Sequence, residues 1–187
     1  MDREEMTLNK KAWLRYMARS IDITLGVLIL SLVLGLIFGL LSIVLNGFIE
    51  TPLSMLGQIP EFILGAIVVC FYLIIEASFF SSFKTSLGKK LFGISITDKN
   101  NNYLEYGAAL KRNLSLWFRG MALSIPFLSL IAMANAYQNF TDKGITSWDE
   151  DNEVVVHYKT ISSLRMMFAI LLFIVVIAFN TYMVLNS

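Results

Sequence analysis

From Ile21 to Leu45 the chain runs through Leu, Ile, Val, Gly and Phe almost without interruption. About 25 residues at 1.5 Å each make a helix long enough to cross a ~30 Å hydrocarbon core with some tilt. Two more runs of this kind follow, Phe62 to Phe83 and "MMFAILLFIVVIAFNTYMVL" after Arg165. With 56% of its 187 residues hydrophobic and only 16% charged, the chain carries more apolar surface than one water-soluble core can hide. The expected class is an all-α integral membrane protein with three full transmembrane helices, at about 21–45, 62–83 and within 161–187.

The flanks of these runs set an orientation. Lys10, Lys11, Arg15 and Arg19 precede the first, and Lys84, Lys89, Lys90, Lys99, Lys111 and Arg112 follow the second. Between the two, Asn46 to Glu61 holds Thr51-Pro52, Gly57 and Pro60 and has no Lys or Arg, which reads as a turn-rich loop on the less basic side. By the positive-inside rule both basic flanks, and the N-terminus with them, belong in the cytoplasm. Asp2, Glu4 and Glu5 are not the basic opening of a cleavable signal peptide, so the first segment is expected to stay attached. Cys70, the single cysteine, sits among apolar residues and offers neither a disulfide framework nor a thiolate metal site.

After Lys84 the composition changes. Ile94, Ile96 and Tyr103 alternate with polar residues around "DKNNN", which predicts a small cytoplasmic β-hairpin. Ala108 to Arg119 interleaves Lys111, Arg112 and Arg119 with Leu and Trp, as an interfacial amphipathic helix does. The next apolar stretch, to Tyr137, is short and holds Pro126. The region of about 108–137 is therefore either a Pro-broken re-entrant hairpin or a fourth span, and the hairpin is slightly preferred. A hairpin keeps "TSWDEDNEVVVHYK" cytoplasmic, with Val154 to Val156 free to add a strand. The expected layout is a membrane domain over 1–160 and a C-terminal transmembrane helix over 161–187.

Asp22 lies just inside the first span, where an ionised carboxylate costs up to roughly 2.5–3.5 kcal/mol unless it is paired. Arg19, three residues earlier on nearly the same helical face, is its simplest partner, and Arg15 lies two turns back. Glu76 stands in "YLIIEASFF" at a comparable depth. Two intramembrane carboxylates tuned by nearby arginines can pass a proton and hold a monovalent cation; alternatively Asp22 is only salt-bridged to Arg19, and Glu76 is neutral and hydrogen-bonded to a neighbouring helix or paired with Arg19 or Arg119 to hold the bundle together. Lys84, Lys89 and Lys90 in "SLGKKLFG" fit anionic lipid headgroups at the inner leaflet, worth about 1 kcal/mol each. The spacing there is not that of a phosphate-binding loop. "DEDNE" lacks the glycine turn of a calcium loop, and His157 has no second metal ligand, so no metal or cofactor is expected. A net charge of +1 gives no footprint for nucleic acid, and no acyl-transfer constellation can be assembled, so no enzyme is expected.

Taken together, "WLRYMARSID", "IIEASFFSSFKTSLGKKLFGISITD", "ALKRNL" and "SWDEDNEVVVHYK" resemble the RDD family of bacterial membrane proteins over about residues 10 to 160. In that resemblance Arg15 is the family's arginine, Asp22 its first aspartate and Asp149 its second. Glu76, Gly88, Lys89, Gly93 and Arg112 also fall on like residues. Ser86 stands where Thr is usual, Trp148 stands where His is frequent, and the link from Glu76 to Gly88 is longer. The resemblance implies transport of unknown ligands, with some members similar to sodium, lithium or potassium/proton antiporters, and a bacterial cytoplasmic membrane as the setting. Two functions are carried forward. One is a small alkali-cation/proton exchanger, alone or as a homodimer, using Asp22 and Glu76 with Arg15, Arg19, Arg112 and Asp149 as pKa-tuning or structural partners. The other is a non-transporting adaptor or regulator that docks a partner protein or anionic lipid at its cytoplasmic face.

Overall fold

The computed structural model describes residues 6–44, 59–125 and 127–185. Most of the expected loop after Asn46, the acidic opening and Pro126 lie outside these residues. The long helices are α1 (Leu8–Val44), α2 (Glu61–Phe83) and α7 (Ser163–Leu185). Their segments Leu8–Leu41, Phe62–Phe83 and Ser163–Met183 are long and apolar enough to cross a membrane. α1 has 37 residues, and it begins well before the apolar run because nothing in "KKAWLRYMARS" breaks a helix. Past Leu28 its side chains are largely exposed, as hydrocarbon-facing residues are in a bundle without its lipid.

Between the second and third long helices lie α3 (Leu87–Leu91), β1 (Ile94–Thr97), α4 (Tyr106–Met121), a 3₁₀ turn (Ala122–Ser124), α5 (Leu128–Lys143), α6 (Ser147–Asp151) and β2 (Val155–Tyr158). The expected turn forms at "DKNNN", where the Asn101 and Asn102 amides donate to the Asp98 carbonyl and carboxylate. The local hairpin does not form. β1 pairs antiparallel with β2, in the register Ile94 with Tyr158 and Thr97 with Val155. The chain after the turn sends Leu104 into a core with Ile96, Val154, Ala77, Phe80 and Ala109. Burying that leucine beneath the sheet competes with extending β1, and the valine-rich β2 takes the free edge.

α4 and α5 form a helical hairpin. Its reversal runs through left-handed backbone at Ala122, Leu123, Ser124 and Phe127, with φ of 43°, 58°, 63° and 66°. Both feet of the hairpin stand at the sheet: Ala109 of α4 packs with Ile96, and α5 leads through α6 into β2. Along α4 the buried face is Ala109, Arg112, Asn113 and Gly120, so this amphipathic helix turns polar groups inward as well as apolar ones. A separate cluster joins Leu14, Ala18 and Ile21 of α1 to Phe92, Ile94, Ala169 and Val176, clamping α7 and the sheet to the first helix.

Gly93 makes the sharp entry into β1. Its φ is +70°, and a Cβ there meets the Lys159 carbonyl oxygen at 2.6 Å and Ile161 Cγ2 at 2.8 Å. Gly93→Ala is expected to destabilise the protein by about 1–3 kcal/mol through the backbone alone, and thermal melting in detergent checks this. Gly107→Ala, where a Cβ meets nothing within 4 Å, is the matched control.

Candidate functional site

One face of α1 presents Arg15, Arg19 and Asp22, and each is taken by a different part of the chain. Asp22 is buried and does not pair with Arg19, the neighbour that helical spacing favours. Its Oδ1 accepts the Gly88 amide at 2.6 Å; its Oδ2 accepts Ser86 Oγ at 2.5 Å and Lys89 Nζ at 3.1 Å. The carboxylate thus fastens the start of α3 onto α1. The approach demands glycine at 88, since a Cβ there would overlap the Ala18 carbonyl oxygen and meet the Asp22 carboxylate at 3.0 Å.

Glu76, wholly buried, is the second carboxylate of this cluster. Its Oε1 accepts Lys89 Nζ at 3.0 Å; its Oε2 accepts Arg19 Nη1 at 2.6 Å and Asn113 Nδ2 at 3.2 Å. Asn113 Nδ2 also reaches the Leu73 carbonyl at 3.0 Å, which ties α4 to α2. Lys89 therefore bridges Asp22 and Glu76. This corrects its expected place among lipid headgroups: two buried carboxylates outbid a surface contact, and Lys89 is only 7% exposed. Lys84 and Lys90 are less buried; Lys84 Nζ bonds the Asn101 carbonyl at 2.6 Å, and the Lys90 side chain is exposed.

Asp149 centres a second cluster. It is fully buried, with Oδ2 accepting Arg15 Nη1 and Thr146 Oγ1, each at 2.7 Å, and Oδ1 accepting Arg112 Nε at 2.7 Å. Arg15 also donates from Nε to the Tyr158 hydroxyl and stacks 4.5 Å from the Phe140 ring centroid. So Arg15, read as an outlying partner of Asp22, serves Asp149 instead. Burial opposes ionisation of Asp149, but Arg112, Arg15 and the Thr146 hydroxyl outweigh it and hold the carboxyl below its ordinary range. Burial raises the Tyr158 hydroxyl above its ordinary value against the pull of Arg15, so it stays protonated.

The two clusters meet at Phe80, whose ring centroid lies 5.0 Å from Lys89 Nζ and 5.6 Å from the Arg112 guanidinium carbon. Arg19 Nε and Nη2, Arg112 Nη1 and Asn113 Oδ1 are buried without a hydrogen-bond partner among the described residues. Ser86, Asn113, Thr146, Tyr158 and Phe80 were not anticipated as partners. Only Thr146 was readable, from its capping-box spacing to Asp149.

The Asp149 cluster generates a stability prediction. Folding lowers this carboxyl's pKa from an unfolded value of about 4, so its stabilisation is complete above that pH and is lost only as pH falls towards the folded value. Asp149→Asn is expected to cost about 3–5 kcal/mol, because it leaves Arg15 and Arg112 without their anion. The penalty should stay constant from pH 5 to 8. A double-mutant cycle with Arg112→Gln, read by thermal melting, should be strongly non-additive.

No curated protein and no solved structure matches this chain. A family match does, and it covers residues 10–179, running past residue 160 through most of α7. With its three membrane-length helices, the chain belongs to the RDD family, whose members are membrane proteins.

Proposed function

We propose that the protein is a small secondary transporter that exchanges a monovalent alkali cation for a proton across a bacterial cytoplasmic membrane. Asp22 and Glu76 are its ion- and proton-binding groups. One observation carries this reading: two buried carboxylates, from two different membrane-length helices, share a single ammonium. At such a place one positive charge can replace another without changing the charge buried in the bundle, which avoids the large cost of an unpaired ion. The buried atoms of Arg19, Arg112 and Asn113 that have no partner among the described residues favour access by water near this pair.

In this reading the basic flanks put the N-terminus and the sheet in the cytoplasm, and the α4–α5 hairpin dips into the membrane and returns. Lys84, Lys90 and Lys111 then contact anionic headgroups of the inner leaflet. A homodimer is compatible with the exposed helices. A specific observation favours a second reading, that of a non-transporting adaptor. Every oxygen of Asp22 and Glu76 already accepts a protein donor, as in a lock that holds the cytoplasmic face in shape for a partner protein or lipid.

Inside-out vesicles from cells lacking their main antiporters distinguish the two. Sodium, lithium or potassium added to energised vesicles is expected to dissipate ΔpH with wild type. With Asp22→Asn or Glu76→Gln, at matched membrane expression, the signal should fall to that of empty vesicles. Exchange retained in both variants removes this mechanism. Wild-type flux no greater than empty membranes, together with a stoichiometric co-purifying partner, establishes the adaptor instead. Glu150→Cys in a Cys70→Ser background should be labelled by an impermeant thiol reagent only from the cytoplasmic side, as the hairpin requires.

A further inference from the structure

We infer that the Lys89 ammonium is a built-in counterpart of the transported cation, seated in an oxygen cage that a monovalent cation enters when Lys89 gives up a proton. The cage consists of Asp22 Oδ2, Glu76 Oε1 and Ser86 Oγ, at 3.1, 3.0 and 3.1 Å from Lys89 Nζ. An ammonium has three N–H donors, and here each finds one oxygen at nearly the same distance. The Phe80 ring, 5.0 Å away, adds a face that attracts any cation regardless of its donors. The three oxygens come from α1, α2 and the residue before α3, so they are held by separate elements.

Charge defines the class of cation. Among the groups facing Lys89 are Asp22 and Arg19 from α1, Glu76 with Tyr72 beside it from α2, and Arg112 of α4 on the same Phe80 ring. Arg19 neutralises one carboxylate and Arg112 is matched by Asp149, so neutral Lys89 leaves the cage one negative charge. A monovalent cation balances it, whereas a divalent one leaves a buried surplus. The step balances: one N–H bond of the Lys89 ammonium breaks, its proton leaves to water, the nitrogen keeps the electron pair, and one cation enters. One proton moves for each cation, and the buried charge is unchanged. The proton step rests on the exchange reading above; the cage is a statement about binding alone.

Two variants test the two parts. Lys89→Ala, purified in detergent, is melted in potassium, sodium, lithium and choline chloride at equal ionic strength. At least one alkali salt is expected to raise its melting temperature over choline by about 3–5 °C, as a site filled to roughly tenfold its Kd would, while wild type does not respond. Equal melting in all four salts, or no folded protein in any of them, overturns the cage. Lys89→Arg keeps the positive charge but cannot release a proton. It is expected to fold and to lose exchange, and exchange at the wild-type rate in this variant overturns the proton role of Lys89. If wild type shows no exchange while Lys89→Ala binds an alkali cation, the transporter reading and the proton step fall and the cage stands.

Discussion

A carboxylate buried between membrane helices needs a positive charge within hydrogen-bond reach, and here one lysine serves two of them. Lys89 cannot meet Asp22 and Glu76 unless the short helix α3 is pressed against α1, and that contact is close enough to exclude any Cβ at position 88. Much of the remaining architecture follows. With α3 fixed there, Gly93 turns the chain into β1 at the end of the bundle, and the sheet edge so placed receives β2 from sixty residues further on. An apolar bundle alone specifies no such register, because hydrocarbon offers helices little reason to prefer one rotation over another. The polar contacts do.

α1 acts as the spine of this arrangement. Arg15, Arg19 and Asp22 share a helical face, yet they reach α6, α2 and α3 respectively. Leu14, Ala18 and Ile21 are buried among them, so the charged side chains leave an apolar seam and are not in contact with lipid on every side. This division of partners explains how a chain with three membrane-length helices carries several buried charges: each is matched by a group from a different element, and breaking one pair strands its partner.

The apolar runs announced the long helices and the membrane class, because length and hydropathy need no tertiary knowledge. The charged residues announced themselves too, but their pairing was legible only in part: a Glu76–Arg19 pair is among the expected ones and forms, whereas the partners of Asp22 and Asp149 are not foreseen. Arg19 is three residues from Asp22, and helical spacing makes that pair look sufficient; the stronger claim on Arg19 comes from Glu76, 57 residues away. Lys89 sits in a basic stretch that resembles a headgroup patch, and only the close approach allowed by Gly88 reveals that it points inward. Likewise "DKNNN" did form its turn and the valine run did add a strand as expected, but local alternation of residues could not show that this strand would replace the chain after the turn at the edge of β1. Helix propensity and turn chemistry are local properties, whereas ion pairing and strand partners are decided by which elements arrive together.

Arg112 and Asn113 are consecutive on α4, and they serve different clusters: Arg112 holds Asp149, and Asn113 holds Glu76. A helix is stiff over two residues, so a displacement of α4 that lengthens one bond strains the other. Phe80 reinforces the link, since its single ring accepts both Lys89 and Arg112. Asp149, remote from the Lys89 cage, therefore acts on it by fixing where α4 stands. Its lowered pKa suits that task, because a group that stays ionised at neutral pH keeps the anchor in place. Arg15 closes the same anchor against α1, so Arg15 and Asp149 brace the helices between which Lys89 joins Asp22 and Glu76.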